Sequence, residues 1–167
     1  SLGVDYQDLI GAKQVHGKNI VYVNQFNKGC GALDYESSVS DTDGFMTDKK
    51  GVPIAILTAD CLSVFIYDPK RPAIAILHAG WRGTVQGVAV QAVACMQTYA
   101  GSNPSDIHVF AGPAAQGCCY QVGADFITNL EPDLVPKTIE RRAERLFFDV
   151  MRYNHLLLER VGILHEN

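Results

Sequence analysis

The sequence lacks the long hydrophobic run that a membrane-spanning helix needs. No apolar stretch approaches the roughly 20 residues that cross a bilayer. The first ten residues, SLGVDYQDLI, also lack the basic region followed by an apolar region that is typical of a signal peptide. We therefore expect a cytoplasmic protein that does not bind a membrane.

Clusters of basic residues are also lacking. The chain has 14 Lys and Arg against 18 Asp and Glu, a formal net charge of −4, and no segment interleaves basic with aromatic side chains. A nucleic-acid-binding surface needs such clusters to neutralise phosphates. The sequence therefore indicates small-molecule partners and no nucleic acid.

The cysteine pattern contains no local metal-binding motif. Five cysteines stand at irregular spacing, without a CxxC pair, and no HxxxH pair accompanies them. An odd number of cysteines in an intracellular chain predicts free thiols. A metal site could therefore form only from residues that are distant in the sequence.

The composition and the apolar pattern predict one globular domain over residues 1–167. Hydrophobic residues make up 47% of the chain and charged residues 19%. Runs rich in Ile and Val predict strands at 44–47, 52–57, 62–67, 73–77 and 107–110. Several are apolar throughout, as in strands covered on both faces. Helical spacing predicts helices at 84–100 and 151–161 and a weaker one at 124–130. We expect an α+β fold, a sandwich of a mixed β-sheet flanked by helices.

The N-terminal region predicts a hairpin followed by a long loop. β-Branched residues at 13–15 and 20–23 flank turn-forming residues at 16–19, which places His16 at the hairpin tip. A histidine in such a turn is either solvated or a ligand. Residues 24–42 are polar and irregular, which predicts a surface loop near the site.

The segment LHAGWRGT at 77–84 has two interpretations. It runs from a strand end through glycines into the predicted helix, so its backbone N–H groups could bind an anion together with the guanidinium of Arg82. Alternatively it is a tight turn, with Thr84 as helix N-cap and Trp81 in the core. Both interpretations predict a strand-to-helix connection.

Two acidic residues and one cysteine are further candidates for a functional site. Asp60 and Cys61 follow an apolar strand, where sites tend to lie. Cys61 could equally be a small buried apolar side chain. Asp60 could be a general base, a carboxylate that orients a histidine, or a turn residue. Asp43 is either part of an ordinary turn before a strand or a residue of the site.

Taken together, these segments resemble the YfiH-like family. The matching motifs occur in the same order along essentially the whole chain: QVHG at 14–17, DG at 43–44, TADC at 58–61, HAGWRG at 78–83 and GPA through CCY at 112–120. The family carries the labels multicopper polyphenol oxidase (laccase domain), purine nucleoside phosphorylase and peptidoglycan-editing factor. This chain departs from the family pattern at 115–117 and at Gln121. The resemblance also implies portions before residue 2 and after Ile163 that we do not find in this sequence.

The resemblance implies a zinc ion bound by His16, Cys61 and His78. Two imidazoles and one thiolate leave a fourth tetrahedral position open, as in catalytic zinc sites. The same donors also suit a single copper ion. With five histidines and no HxH pair, the sequence has too few imidazoles for a multicopper oxidase. We treat His108, His155 and His165 as structural.

The activity that the resemblance implies is phosphorolysis of purine nucleosides (adenosine, inosine, guanosine, methylthioadenosine) with deamination of adenosine. The catalytic residues expected are Cys61, His78, Asp60 and Arg82. The residues expected to bind substrate or phosphate are Arg82, Gly83, Gln14 and Asp43. One alternative is an amidase that edits peptidoglycan precursors, with Cys61 as nucleophile and His78 or His16 as base. Others are a copper polyphenol oxidase and a non-catalytic binding domain. We expect a monomer or homodimer.

Overall fold

A computed structural model describes residues 3–167. Residues 1–2, part of the stretch in which we sought a signal peptide, lie outside the described residues. The main sheet contains β1 (Ile20–Tyr22), β2 (Gly44–Thr47), β3 (Leu62–Asp68), β4 (Ala73–Ala79) and β5 (His108–Ala111). A smaller sheet contains β6 (Gln121–Val122), β7 (Ile139–Arg142) and β8 (Arg145–Phe148).

The main sheet is mixed, in the order β1-β2-β4-β3-β5. Only β1 and β2 are parallel, and every other neighbouring pair is antiparallel. The smaller sheet is antiparallel, in the order β6-β8-β7. The expected α+β fold with a mixed sheet and flanking helices is confirmed.

The α-helices are α1 (Trp81–Val85), α2 (Val88–Ala100), α3 (Val135–Thr138) and α4 (Val150–Arg160). Short 3-10 helices lie at Tyr6–Asp8, Gln25–Asn27, Tyr35–Ser37, Pro104–Asp106 and Ala124–Asn129. The last of these replaces the weak α-helix predicted at 124–130. Among residues 3–167, we find no helix with both the length and the apolar character needed to cross a membrane.

One apolar face of α2 packs on the sheet and on α4. Its inward residues repeat at helical spacing and are buried: Val88, Ala89, Ala92, Val93 and Met96. As predicted, the helix ends at Gly101. Its φ of 68° lies in the left-handed region, which glycine adopts readily because it has no β-carbon. Burying a side chain of the size of Val or Met contributes about 1.5–3 kcal/mol, so this face fixes α2 on the sheet.

The helix predicted at 84–100 is divided in two. It begins earlier, with Gly80 as the N-cap of α1, and it breaks at Gly87, where φ is 81°. Thr84 lies inside α1, where its buried hydroxyl accepts a hydrogen bond from Asn154 Nδ2 at 2.9 Å. The interpretation of Thr84 as N-cap is therefore wrong, because the chain turns four residues earlier.

The predicted hairpin around His16 is also wrong. Residues 13–15 form no strand, and β1 pairs with β2 in parallel, Ile20 opposite Gly44. The connection is the long loop predicted at 24–42. The strand predicted at 52–57 is reduced to a single bridge between Ile54 and Ile10. Local β-propensity cannot reveal such pairings, because the partner strand is distant in sequence.

The face of the sheet opposite α2 differs from the prediction. Apolar strands at 62–67 and 73–77 suggested cover on both faces, yet Phe65, Tyr67, Ile74 and Phe110 are 41–67% exposed. Along β3 buried and exposed residues alternate from Val64 onward. Part of this face, around Phe45, is covered by Ile10, Val23 and Val52.

Candidate metal centre

His16, Cys61 and His78 lie together at one end of the main sheet. The register of β3 and β4 pairs Leu62 with Ala79, which brings Cys61 beside the end of β4. The loop before β1 supplies His16. One ligand atom from each of the three side chains lies within 4.8 Å of the other two. Bonds of roughly 2.0–2.3 Å to a tetrahedral zinc put ligand atoms roughly 3.3–3.8 Å apart. Small side-chain shifts therefore suffice to bring the three donors onto one ion.

A buried carboxylate, Asp43, orients two of these ligands. Its Oδ1 lies 2.8 Å from His78 Nδ1 and accepts the His16 backbone N–H at 2.9 Å. Its Oδ2 accepts the N–H groups of Gly17 at 2.7 Å and Val15 at 3.3 Å. Because Nδ1 of His78 is engaged, its Nε2 is the nitrogen available to a metal. A carboxylate that fixes a ligating imidazole in this way is typical of zinc sites.

The backbone of His16 adopts an unusual conformation. Its φ is 59°, in the left-handed region that costs a non-glycine residue roughly 1–2 kcal/mol. The hydrogen bond from its own N–H to Asp43 holds the residue there, and the side chain remains exposed. Strain of this kind is concentrated at functional sites. The exposed imidazole also leaves the centre open to solvent.

Gly80 forms the floor between the three donors. A β-carbon added there would lie 2.8 Å from His16 Cδ2, 3.2 Å from Cys61 Sγ and 3.6 Å from His78 Cε1. Only a residue without a side chain leaves the space between the donors free. The donor set and this space together fit a metal ion.

The environment of Cys61 disfavours a free thiolate. Burial raises the pKa of the Cys61 thiol, and the negative charges of Asp60 and Asp43 raise it further. A metal ion reverses this balance, because it binds the deprotonated sulfur. The arrangement is therefore better suited to a ligand than to an unassisted nucleophile.

A cleft of about 420 Å³ opens beside Cys61. Its volume falls within the range of small-molecule sites. Asp60 is exposed in it, and burial raises the pKa of the Tyr120 hydroxyl, which keeps it a hydrogen-bond donor. The other lining residues are Leu62, Ala79, Gly80, Trp81, Ala115, Cys119, Gln121 and Val150.

The segment 80–84, where we expected an anion pocket at the start of a long helix, leads into a short helix instead. The helix that follows Gly80 is only five residues long, so its dipole is weak, and the long helix begins at Val88. The Arg82 guanidinium is exposed and lies 4.6 Å from the centre of the Trp81 ring. Gly83 is buried, and a β-carbon there would meet the Gly17 carbonyl oxygen at 2.4 Å. Arg82 is thus available to an anion, whereas Gly83 serves close packing.

Two residues expected to bind substrate are engaged elsewhere. The Gln14 side chain makes two hydrogen bonds of 2.8 Å with the Leu57 backbone, one in each direction. Asp43 has no exposed surface and supports the centre. The assignment of both residues to substrate binding stays a prediction.

Sequence reasoning missed several residues of the cleft. Gly80 and Trp81 stand inside a motif that was recognised, but only their neighbours were assigned to the site. Cys119, Tyr120 and Gln121 reach the cleft from a segment about 60 residues after Cys61. The paired cysteines followed by tyrosine were the one signal that could have found them.

Comparison with known proteins supplies a family. The family model for multi-copper polyphenol oxidoreductase laccase matches residues 1–167. The chain is 39% identical over 167 residues to "Purine nucleoside phosphorylase YlmD" of Bacillus subtilis, covering 97% of this chain. It is 36% identical to the protein of the same name from Geobacillus stearothermophilus, over 90% of this chain. A solved structure, hypothetical protein YfiH of Bacillus licheniformis, superposes with a TM-score of 0.90 at 33% identity over 99% of this chain.

The relatives are longer than this chain. It spans 59% and 57% of the two phosphorylase-named proteins and 63% of the Bacillus licheniformis structure. The match to the family model, over residues 1–167, includes every residue of the centre described above.

Replacing Asp43 with Asn should weaken zinc binding by about 10–100-fold, the usual effect of removing a carboxylate that supports a ligating histidine. An amide nitrogen cannot accept the hydrogen bonds that one Asp43 oxygen now accepts. Competition with a chromophoric zinc chelator measures the affinity. Asp41→Asn, an exposed position two residues away, is the matched control. Unchanged affinity in Asp43→Asn would contradict the role assigned to this carboxylate.

Replacing Gly80 with Ala should lower zinc affinity by roughly 10-fold or more, since the added methyl group displaces His16 and Cys61 and overpacking of this kind costs about 1–3 kcal/mol. The same titration reports it. Gly11→Ala is the control, because a β-carbon there meets its nearest atom at 3.5 Å, an ordinary contact. Equal affinities for the two variants would show that the space above Gly80 is not needed.

Proposed function

Because the chain belongs to the multi-copper polyphenol oxidoreductase laccase family and is similar to proteins named purine nucleoside phosphorylase, we propose that it is a zinc-dependent enzyme acting on purine nucleosides. The observation that carries the proposal is the convergence of His16, Cys61 and His78 beside an open cleft. We propose phosphorolysis as its main reaction and deamination of adenosine as a second.

We propose that His16, Cys61 and His78 hold the zinc ion, with Asp43 fixing His78. When bound, the ion supplies a Lewis acid with one position open to a reactant. The chain itself supplies orientation: the buried Asp43 carboxylate keeps the His78 ring in one position, and Gly80 keeps the space between the donors free.

The cleft beside Cys61 is the proposed nucleoside site. Trp81 and Tyr120 line it, and aromatic rings of this kind stack on purines. Phe126 packs edge-on against Trp81, with ring centres 5.3 Å apart, so the indole is supported from within the protein. The base would then lie against these aromatic side chains, with its sugar toward Asp60.

For phosphorolysis we assign Arg82 to phosphate and Asp60 to proton transfer. A phosphate oxygen forms a bond to C1′ of the ribose while the bond from C1′ to the purine nitrogen breaks, and the purine takes up one proton. The products are the free base and ribose 1-phosphate. The forked guanidinium of Arg82 suits two phosphate oxygens at once, and Asp60 is the exposed carboxyl group of the cleft.

For deamination the same cleft would hold adenosine with C6 near the centre. Water adds to C6, the amino group takes up a proton and leaves as ammonia, and the product is inosine. Asp60 is again our candidate to accept the proton of the water and to return one to the leaving group.

The amidase alternative has less support in the geometry. A cysteine nucleophile needs a base within hydrogen-bond reach. In the part of the chain that the structure describes, no hydrogen bond joins Cys61 Sγ to His16 or His78. The His78 Nδ1 atom instead lies 2.8 Å from Asp43 Oδ1. Activity that survives complete chelation of metal and is lost on alkylation of thiols would favour this alternative.

The family description makes copper the second metal to test. Two imidazoles and one thiolate are also the donors of blue copper. An intense visible absorption band after copper loading, together with oxidation of a phenol that consumes O₂, would support the copper polyphenol oxidase alternative. Zinc-loaded protein would then be inactive with phenols and nucleosides alike.

Chromatography of adenosine incubated with the zinc-loaded chain tests the proposal directly. We expect adenine and ribose 1-phosphate only when phosphate is present, and inosine with or without phosphate. Cys61→Ala should reduce both products by more than about 100-fold, since losing a ligand costs more than losing its supporting carboxylate. His108→Ala, an exposed histidine of β5, should match the unmodified chain. No turnover by the fully zinc-loaded chain would favour a non-catalytic binding domain.

Replacing Arg82 with Ala should raise the KM for phosphate by about 10–100-fold, the range expected for losing a hydrogen bond to a charged group. Formation of inosine should change little, because deamination uses no phosphate. The exposed residue Arg71 provides the control variant Arg71→Ala. A parallel loss of both reactions would mean that Arg82 supports the site rather than binding phosphate.

A further inference from the structure

A second group of metal-binding side chains lies outside the centre described above. His155 and Glu159 stand one helical turn apart on α4, and His165 follows in the segment after that helix. One ligand atom from each lies within 4.8 Å of the other two. Sequence analysis treated both histidines as structural, and the proposed function does not use them.

The three ligand atoms form a small triangle. His155 Nε2 lies 3.1 Å from His165 Nδ1 and 3.1 Å from Glu159 Oε1, and His165 Nδ1 lies 2.7 Å from the same carboxylate oxygen. Ligand atoms on one face of a tetrahedral zinc site lie roughly 3.3 Å apart. Two sides of the triangle therefore need to lengthen by about 0.2 Å and the third by about 0.6 Å to accept an ion.

The three contacts of this triangle cannot all be hydrogen bonds at the same time. A neutral imidazole carries one N–H group and an ionised carboxylate carries none. If His155 Nε2 and His165 Nδ1 both carry a hydrogen, the contact between these two nitrogens joins two donors. If one or neither carries a hydrogen, at least one of the three contacts joins two acceptors. A divalent cation satisfies all three lone pairs at once, because each then faces the ion.

The segment that carries His165 is anchored on both sides. Before it, the Ile163 side chain is buried and its N–H donates to the Leu158 carbonyl oxygen at 3.1 Å. After it, Asn167 accepts the Val109 N–H at 2.9 Å. His165 therefore faces α4 in a defined position, although its own side chain is 74% exposed.

The group also has access to a ligand. His155, Glu159 and His165 lie on the wall of a cleft of about 500 Å³, which Asp149 and Arg152 also line. The open side of an ion bound there can take water or a small anion. Arg152 is the one Lys or Arg among the described residues that line this cleft, and its positive charge acts on Glu159. This charge moderates the affinity for a cation.

From this geometry we infer a second divalent-metal site, formed by His155, Glu159 and His165 and independent of the cysteine-containing centre. Its two nitrogens and one oxygen suit zinc and cobalt. Without a thiolate or a buried supporting carboxylate, it binds more weakly than the first centre.

Titration of the metal-free chain with Co²⁺ tests the inference. We expect two equivalents per chain. The tighter one should show the near-ultraviolet charge-transfer band of a cobalt thiolate, and the weaker one should show only visible ligand-field bands. A single equivalent that carries the charge-transfer band would overturn the inference, whereas a single equivalent without that band would place the metal at His155, Glu159 and His165 alone.

Variants assign each equivalent to its residues. Glu159→Gln and His165→Ala should each abolish the weaker equivalent and leave the charge-transfer band intact, whereas Cys61→Ala should do the reverse. His108→Ala should retain both equivalents. Since His165 is exposed, its replacement should leave the far-ultraviolet circular dichroism unchanged. Two equivalents in both Glu159→Gln and His165→Ala, or loss of both in Cys61→Ala, would refute an independent site. Nucleoside turnover plays no part in this test.

Discussion

The end of the sheet that carries the first centre depends on one buried carboxylate. Asp43 accepts hydrogen bonds from three backbone N–H groups at 15–17 and faces the His78 imidazole. The Asp43 backbone also connects the loop before β1 to β4. Its N–H donates to the Asn19 carbonyl oxygen, and its carbonyl oxygen accepts from the His78 N–H. A buried carboxylate without partners is strongly unfavourable. The loop before β1 therefore has to fold back onto β4, and this brings His16 to His78.

Close backbone approach is the second constraint on the centre. The Gly17 carbonyl oxygen lies only 2.4 Å from where a β-carbon of residue 83 would be, and Gly80 lies beside the three donor side chains. The glycines of HAGWRG thus hold the loop, α1 and the donors closer together than side chains would permit. Packing thus accounts for the two glycines of the segment, and the phosphate binding that we propose for it rests on the Arg82 side chain.

Much of the fold could be predicted locally, but the centre could not. The strand at 44–47, the strands near 62–68 and 73–79, and the C-terminal helix follow from apolar patterns that are complete within each segment. His16, Cys61 and His78 are separated by 45 and 17 residues, so only the family resemblance grouped them. The pairing of β1 with β2 and the hairpin of β7 and β8 were missed. The first depends on a distant partner, and β7 is largely charged, with the sequence IERR.

The two groups of donors differ in how the fold prepares them. His16 is held in a strained backbone conformation and His78 by a buried carboxylate, so the cost of ordering these ligands is met when the chain folds. His155, Glu159 and His165 are partly or largely exposed side chains and meet more of that cost when an ion binds. If both groups bind metal as we propose, the preorganised, sulfur-containing centre should therefore fill first.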